Sequence, residues 1–135
     1  MKPPRKQRPA ASPQEWLVHA QSDLQLARLA RTQTSILAEQ VCFHAQQACE
    51  KALKAVLLSK HIQFPLTHDL EALLELAQAG GVALPKAVED VGILTPYAVE
   101  ARYPGQPEEI ATSEVDEAIG LADTVLQWAV ELVGK

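Results

Sequence analysis

The chain has 135 residues, of which 47% are hydrophobic and only 4% are aromatic, and its formal net charge is −5. This length predicts one domain with a single core, and the dominance of Ala and Leu favours helices over a sheet. Lys2, Arg5, Lys6 and Arg8 are four of the twelve basic residues, so the chain beyond them has eight basic residues against seventeen acidic ones. That part is expected to repel a polyanion, which disfavours broad nucleic-acid binding.

The N-terminal segment, residues 1–11, is rich in Pro and Arg. It is predicted to be a disordered basic tail, so that the folded domain comprises residues 12–135. No hydrophobic run follows the tail, as a signal peptide requires, and no apolar run approaches the ~20 residues of a membrane span. These features predict a cytoplasmic protein. Cys42 and Cys49 lie about 10 Å apart along one predicted helix, too far for a disulfide, and are expected to be buried thiols.

The first two predicted helices form the longest patterned part of the chain. Ser12, Pro13 and Glu15 have the spacing of a capping box with Pro at the first helical position, so the first helix is predicted at residues 13–32. Its apolar residues recur at steps of three and four, on one face. The second helix is predicted at residues 35–60, with an alanine-rich stripe that lets a neighbouring helix come close.

Two further helices are predicted between the second helix and residue 102. Thr67 is the predicted N-cap of the third helix, which Gly80-Gly81 ends. Pro85 begins the fourth helix, with its apolar residues inward. Thr95-Pro96 is expected to kink or restart that helix.

The last predicted helix begins at Ser113, which is expected to act as its N-cap together with Asp116. Its apolar residues alternate by four and three over nearly three heptads, a pattern that suits either the core or an interface between chains. No stretch of the sequence shows a period of two, so no strand is predicted. The predicted fold class is an all-α, up-and-down bundle of about five helices.

Five polar residues share one face of the second helix, at steps of four and three. This face is either a solvated surface or the wall of a groove that faces an anion. Glu50 precedes Lys54 by four residues, the favourable order for a surface ion pair. The five residues are Gln40, His44, Gln47, Lys51 and Lys54.

The histidines do not indicate a metal site, because no HxxxH or Glu-x-x-His pair occurs. His68 follows the predicted cap Thr67, where it either makes a local hydrogen bond or contacts an anion at the positive helix end. An exposed His44 would also suit a phosphotransfer bundle, although no other feature supports that role. No Gly-rich phosphate loop occurs, and no cofactor is expected.

Three motifs occur in the order typical of the HEPN domain (higher eukaryotes and prokaryotes nucleotide-binding), and the chain resembles that family from about Pro13 to Val133. The resemblance implies a bundle of four to five helices that is usually a homodimer. It also implies an association with a minimal nucleotidyltransferase, which here would be a separate subunit because this chain has no room for that domain. The motifs are HAQQACEKALKAVLLSKH at residues 44–61, THDL at 67–70 and YAVEARYPG at 97–105.

Many members of the family that the chain resembles are metal-independent ribonucleases, often toxins, whose signature is an arginine and a histidine separated by four to six residues. The histidine would move protons at the 2′-hydroxyl or the leaving oxygen, and the arginine would hold the scissile phosphate. Here the window after Arg102 contains Pro107, Glu108 and Glu109, and no histidine follows His68. The signature is absent, so no catalytic residue is assigned. His68 would replace the missing histidine only if the fold brought it near Arg102.

The chain is more similar to the family branch that has RYP in place of the catalytic pair. This similarity implies a non-catalytic module that binds a nucleotide such as ATP, a separate nucleotidyltransferase subunit, or both, in a two-component, toxin–antitoxin-like system. The alternatives are a ribonuclease toxin with a displaced general base and a purely structural oligomerisation bundle. Arg102 would hold phosphate bidentately or form a structural ion pair, and Tyr103 would stack on a base or pack at the edge of the core. The implied nucleotide- or anion-binding residues are Arg102, Tyr103, Lys51, Lys54, His44 and His68.

Overall fold

The computed structural model describes residues 11–99 and 109–134, and every regular element in these two segments is helical. The all-α bundle predicted from the sequence is therefore confirmed. The basic residues of the tail, Arg102 and Tyr103 lie outside the described residues. The elements are α1 (Pro13–Arg31), α2 (Ala38–Ser59), α3 (Leu70–Ala79), α4 (Lys86–Glu89), a 3-10 helix (Asp90–Leu94), α5 (Pro96–Val99) and α6 (Thr112–Val133).

Helix α2 is the centre of the bundle and packs against α1, α3, α5 and α6. Its alanine-rich stripe, which includes Ala45, Ala48 and Ala52, is fully buried, and the small side chains let the neighbouring helices approach closely. Cys42 and Cys49 are free, buried thiols on this helix, as predicted. Burial raises the pKa of the Cys49 thiol, so this group is part of the core and is not a reactive thiolate.

The start of α1 follows its sequence signal closely. The Ser12 hydroxyl accepts a hydrogen bond from the Glu15 amide at 3.1 Å, and the Glu15 carboxylate accepts one from the Ser12 amide at 3.3 Å. The capping box with Pro at the first helical position is confirmed. Helix α2 begins at Ala38, three residues after the predicted start, because the chain is still turning at residues 33–36, where the Ile36 amide donates to the Gln33 carbonyl at 3.1 Å.

Helices α2 and α3 end in the same hydrogen-bonded motif. After α2, the amides of His61 and Ile62 donate to carbonyls of the last turn, and the His61 φ is 59°. After α3, Gly81 occupies the equivalent position with a φ of 90°, so the predicted end at Gly80-Gly81 is confirmed. Both ends are Schellman motifs, in which the left-handed residue is usually glycine. Histidine therefore occupies an unfavourable conformation after α2.

Two predicted helix caps are wrong. Asp69, and not Thr67, is the N-cap of α3, because its carboxylate accepts from the Ala72 amide at 3.4 Å. The Thr67 hydroxyl instead accepts from the Asp69 amide, just before the helix. Ser113 does not cap α6, which begins at Thr112 after an N-cap at Ala111 without a side-chain hydrogen bond.

The predicted fourth helix is divided into α4, the 3-10 helix and α5. Its inward residues Val88, Val91 and Leu94 are buried, as predicted, and the chain restarts as a helix at Pro96. The Thr95 hydroxyl accepts a hydrogen bond from the Leu70 amide at 3.0 Å. This bond fixes the start of α5 beside the start of α3.

Helix α6 packs its apolar stripe into the core against α1 and α2. Five of the six heptad positions are buried and Ile119 is half-buried, which decides between the two expectations for this helix in favour of the core. The buried positions are Val115, Ala122, Leu126, Ala129 and Val133. On the polar side, Arg28 contacts Asp123 at 2.7 Å and Arg31 contacts Asp116. These ion pairs connect α1 to α6 across the surface.

Candidate functional site

The polar stripe predicted on α2 is not a uniformly solvated face. Gln40 is exposed, His44, Gln47 and Lys51 are half-buried, and Lys54 is only 6% exposed. The expectation of a solvated face is therefore wrong for the second half of the stripe. There the charged side chains lie between α1 and the segment that precedes α3, and carboxylates from inside the protein contact them.

The first carboxylate is Asp23 on α1, which contacts two predicted site residues at once. One oxygen lies 3.0 Å from Nδ1 of His44, and the other lies 2.6 Å from Nζ of Lys51. Asp23 lies three residues after the buried Ala20 and four before the buried Ala27. An aspartate at the edge of an apolar stripe is the sequence signal for this contact, and our sequence interpretation did not use it.

The second carboxylate is Glu50 on α2, which is only 4% exposed. Its oxygens accept from Lys54 Nζ at 3.0 Å, from His68 Nδ1 at 2.8 Å, and from the Gln46 and Gln47 side-chain amides at 3.3 and 3.4 Å. The predicted Glu50–Lys54 pair is confirmed as a pair, but it is buried and not on the surface. Such a pair is expensive to desolvate, and the additional donors are what make its burial tolerable.

Aromatic rings complete the environment of Lys54. Its Nζ lies 5.6 Å from the ring centroid of Trp16 and 5.8 Å from that of Phe64, and the two rings contact each other edge to face. Ring faces attract a cation and exclude water from it. The Glu50 carboxylate and the two aromatic rings therefore surround Nζ of Lys54.

His68 is the exposed member of the Glu50 cluster. Its backbone carbonyl accepts from the Gln46 side chain at 3.0 Å, and its side chain remains 58% exposed. The His68 side chain contacts Glu50 on α2 and not a neighbouring group at the start of α3, so the choice between a local hydrogen bond and an anion contact stays open. We refer below to Asp23, His44, Gln47, Glu50, Lys51, Lys54 and His68 together as the α2 polar face.

Helix α5 is the last described element before the predicted arginine. It packs against α2, and its first turn is bonded to the start of α3, two residues after His68. Arg102 follows Val99 by three residues, so the two Cα atoms are at most about 11 Å apart. Arg102 and Tyr103 themselves lie outside the described residues.

The charges on the α2 polar face cancel. Lys51 and Lys54 carry two positive charges, and Asp23 and Glu50 carry two negative ones. Within the two described segments, no group of three or more His, Cys, Asp and Glu side chains could hold a metal ion. The face is therefore a hydrogen-bonding surface with two imidazoles, and its net charge offers no attraction to a polyanion.

The end of the bundle that contains the start of α1 and the end of α2 has a separate recess of about 550 Å³. Ser59, Lys60 and His61 line it together with Gln14. A recess of this volume is large enough for a small ligand. None of the predicted site residues that the structure describes lines it, so it is a distinct alternative location for binding.

Comparison with known proteins decides the family. The model of the HEPN domain matches residues 13–133 of this chain. The chain belongs to the HEPN-domain family. The resemblance drawn from the three sequence motifs is thereby confirmed for the family, whereas the RYP branch and the association with a nucleotidyltransferase remain expectations.

Two crystal structures have the same fold as this HEPN domain. The archaeal HEPN homologue ST0689 is 24% identical, with a TM-score of 0.72, and the match covers 92% of this chain and 99% of that one. TT1696 from Thermus thermophilus is 29% identical, also with a TM-score of 0.72, and the match covers 89% of this chain and 97% of that one. No curated protein matches this chain. Among the described residues, no helix is long and apolar enough to cross a bilayer.

Proposed function

We propose that this HEPN domain is a non-catalytic binding module that holds a nucleotide such as ATP, a separate minimal nucleotidyltransferase subunit, or both. The observation that carries the proposal is the α2 polar face, a costly array of partly buried ion pairs and hydrogen bonds in the side of the bundle. Polar groups gathered in this way, with two partly exposed imidazoles, are typical of binding sites. The proposed site combines this face with Arg102 and Tyr103, in a cytoplasmic two-component system of the toxin–antitoxin type.

The distribution of charge supports a compact ligand over a nucleic acid. Four of the basic residues in the described segments contact a carboxylate, namely Arg28, Arg31, Lys51 and Lys54. Long polyanions bind through many unpaired cations, which this part of the chain does not gather on one surface. A single arginine such as Arg102 is enough for one phosphate group.

Calorimetric titration with ATP tests the nucleotide-binding proposal. We expect wild-type protein to bind ATP and Arg102→Ala to lose that binding, because the guanidinium is the group assigned to the phosphates. Arg28→Ala is the matched control, since it removes an arginine that is already paired with Asp123. The proposal is contradicted if wild-type protein gives no heat at millimolar ATP, or if both arginine variants bind ATP as the wild type does.

The proposed protein partner needs a separate test. Co-purification of the chain with a separately expressed minimal nucleotidyltransferase from the same source would support a two-component system, and loss of the complex in Arg102→Ala would assign the arginine to the contact. If the complex forms normally in that variant, Arg102 does not contact the partner, and nucleotide binding is its remaining proposed role. If no complex forms between the two purified proteins, the partner proposal fails.

We also propose that the domain is a homodimer. Large apolar side chains are exposed around the junction of α1 and α2, and a contiguous apolar patch on a surface is typical of a protein–protein contact. These residues are Leu26, Leu29, Ile36, Leu37 and Phe43.

A metal-independent ribonuclease with a displaced general base is the second candidate. The Glu50–His68 contact favours it, since a buried carboxylate that accepts from Nδ1 orients the exposed imidazole as in catalytic acid–base pairs. This candidate predicts growth arrest on expression, relieved by His68→Ala and by Arg102→Ala. Normal growth with intact cellular RNA would eliminate it.

A further inference from the structure

The hydrogen-bonding direction of the α2 polar face follows from its two carboxylates. A carboxylate only accepts, so Nδ1 of His44 must carry the proton that it donates to Asp23, and Nδ1 of His68 must carry the one it donates to Glu50. In a neutral imidazole, Nε2 is then an acceptor. Both imidazoles are at least partly exposed, and no other described residue bonds to either Nε2.

At its two exposed imidazoles the face therefore presents acceptors, and its net charge is small. Lys51 and Lys54, its two strong donors, already donate to Asp23 and Glu50 at 2.6 and 3.0 Å. Phosphate oxygens are themselves acceptors, so they cannot donate a hydrogen bond to an imidazole Nε2. The negative charge of a phosphate would also be repelled by the two carboxylates. Hydroxyl groups and exocyclic amines are the matching partners, because they donate to Nε2 without adding negative charge.

His44 and Glu50 flank Gln47 on α2. They are six residues apart, about 9 Å along the helix axis, with Gln47 midway both along and around it. His68 reaches Glu50 from the side of α3, whereas His44 is bonded to α1. A ligand over Gln47 would therefore have an imidazole acceptor on either side.

We infer that the α2 polar face binds the uncharged nucleoside end of a nucleotide, through its hydroxyl and amine donors, and that it does not bind the phosphates. His44 and His68 are the specificity-determining residues in this assignment. The inference rests on the nucleotide-binding function proposed above.

Titrations of the full chain with adenosine, ATP and inorganic tripolyphosphate separate the two ends of the ligand. The variants are His44→Ala, His68→Ala and the double substitution, with His19→Ala as control because His19 is exposed on α1 outside the face. We expect wild-type protein to bind adenosine, and each substitution on the face to weaken adenosine binding by about tenfold, the effect of one hydrogen bond. Tripolyphosphate binding should be unchanged in all variants, and His19→Ala should match the wild type.

Two results overturn the inference and leave the proposed function standing. In the first, wild-type protein binds ATP and tripolyphosphate equally but does not bind adenosine. In the second, the double variant loses tripolyphosphate binding along with adenosine, which would make the histidines an anion site. If ATP itself does not bind, the nucleotide-binding proposal fails, and this inference fails with it.

Discussion

Glu50 is the residue on which the interior of the α2 polar face depends. Its two oxygens accept from Lys54, His68, Gln46 and Gln47. The lysine is only 6% exposed, so without Glu50 its charge has no carboxylate partner among the described residues. The cost of desolvating both charges offsets much of their attraction, so the ion pair adds little net stability to the fold. Removal of one partner is strongly destabilising, because it leaves a buried charge unpaired.

Glu50→Gln should therefore destabilise the fold by about 3–5 kcal/mol, because it leaves a buried ammonium unpaired. Urea denaturation followed by circular dichroism measures this loss. The double variant Glu50→Gln/Lys54→Met removes the unpaired charge and should recover most of the stability. A double variant as unstable as the single one would show that the lost hydrogen bonds, and not the charge, are responsible.

His61 is a second residue that lowers the stability of the fold, because of its backbone conformation. It has a φ of 59° in the Schellman motif after α2, whereas Gly81 has a φ of 90° at the equivalent position after α3. A side chain in this conformation costs about 1 kcal/mol or more relative to glycine.

His61→Gly is therefore expected to stabilise the protein by about 1 kcal/mol in chemical denaturation. Gly81→Ala, the reciprocal change, should destabilise it by a similar amount, because a Cβ at Gly81 has space around it and only the backbone conformation opposes it. A loss of stability in His61→Gly would contradict the description of this helix end.

At the scale of the elements, α1 and α6 are connected by two exposed ion pairs. Arg31 lowers the pKa of Asp116, mainly by hydrogen bonding to its carboxylate, and Asp116 raises the pKa of Arg31 in the same way. A carboxyl group with a lowered pKa in the folded state stabilises that state above its ordinary pKa. The contribution is lost as the pH falls through the lowered value.

Asp116→Asn should thus lower stability at pH 7 only slightly, because the pair is exposed. The difference from wild type should begin to shrink as the pH falls below about 4, and it should disappear only below the lowered pKa of Asp116. Thermal unfolding between about pH 3 and pH 7 measures this dependence. Glu117→Gln is the control, because Glu117 is an exposed neighbour for which no ion pair is formed among the described residues. A difference between wild type and Asp116→Asn that does not change with pH would refute the assignment.

The same elements show what the sequence could predict about this protein. Helix periodicity and the capping box located α1 correctly, since both signals are local and the packing agrees with them. Asp116 seemed to be a capping partner, yet it contacts Arg31 on another helix. Asp23 was not recognised as a site residue, because its partners His44 and Lys51 lie on another helix, far away along the chain. Local signals predict elements, but contacts between elements decide which polar residues form the site.

At the scale of the whole molecule, the exposed apolar residues at the junction of α1 and α2 lead us to expect a homodimer. Leu37→Lys places a charge in that group and should convert the proposed dimer to a monomer in analytical ultracentrifugation. Leu66→Lys is the matched control, because Leu66 is fully exposed in the segment before α3. A dimer that survives Leu37→Lys would place the interface elsewhere, and a wild-type monomer would contradict the dimer itself.

The central claim is that this HEPN domain binds a nucleotide at the α2 polar face. Amide chemical-shift mapping by NMR on addition of ATP to the full chain tests it most directly, because each part of the bundle reports separately. We predict shifts at His44, Gln47, Lys51 and His68 and around Arg102. Shifts confined to Ser59, Lys60 and His61 in the 550 Å³ recess, or no shifts at all, would contradict the claim.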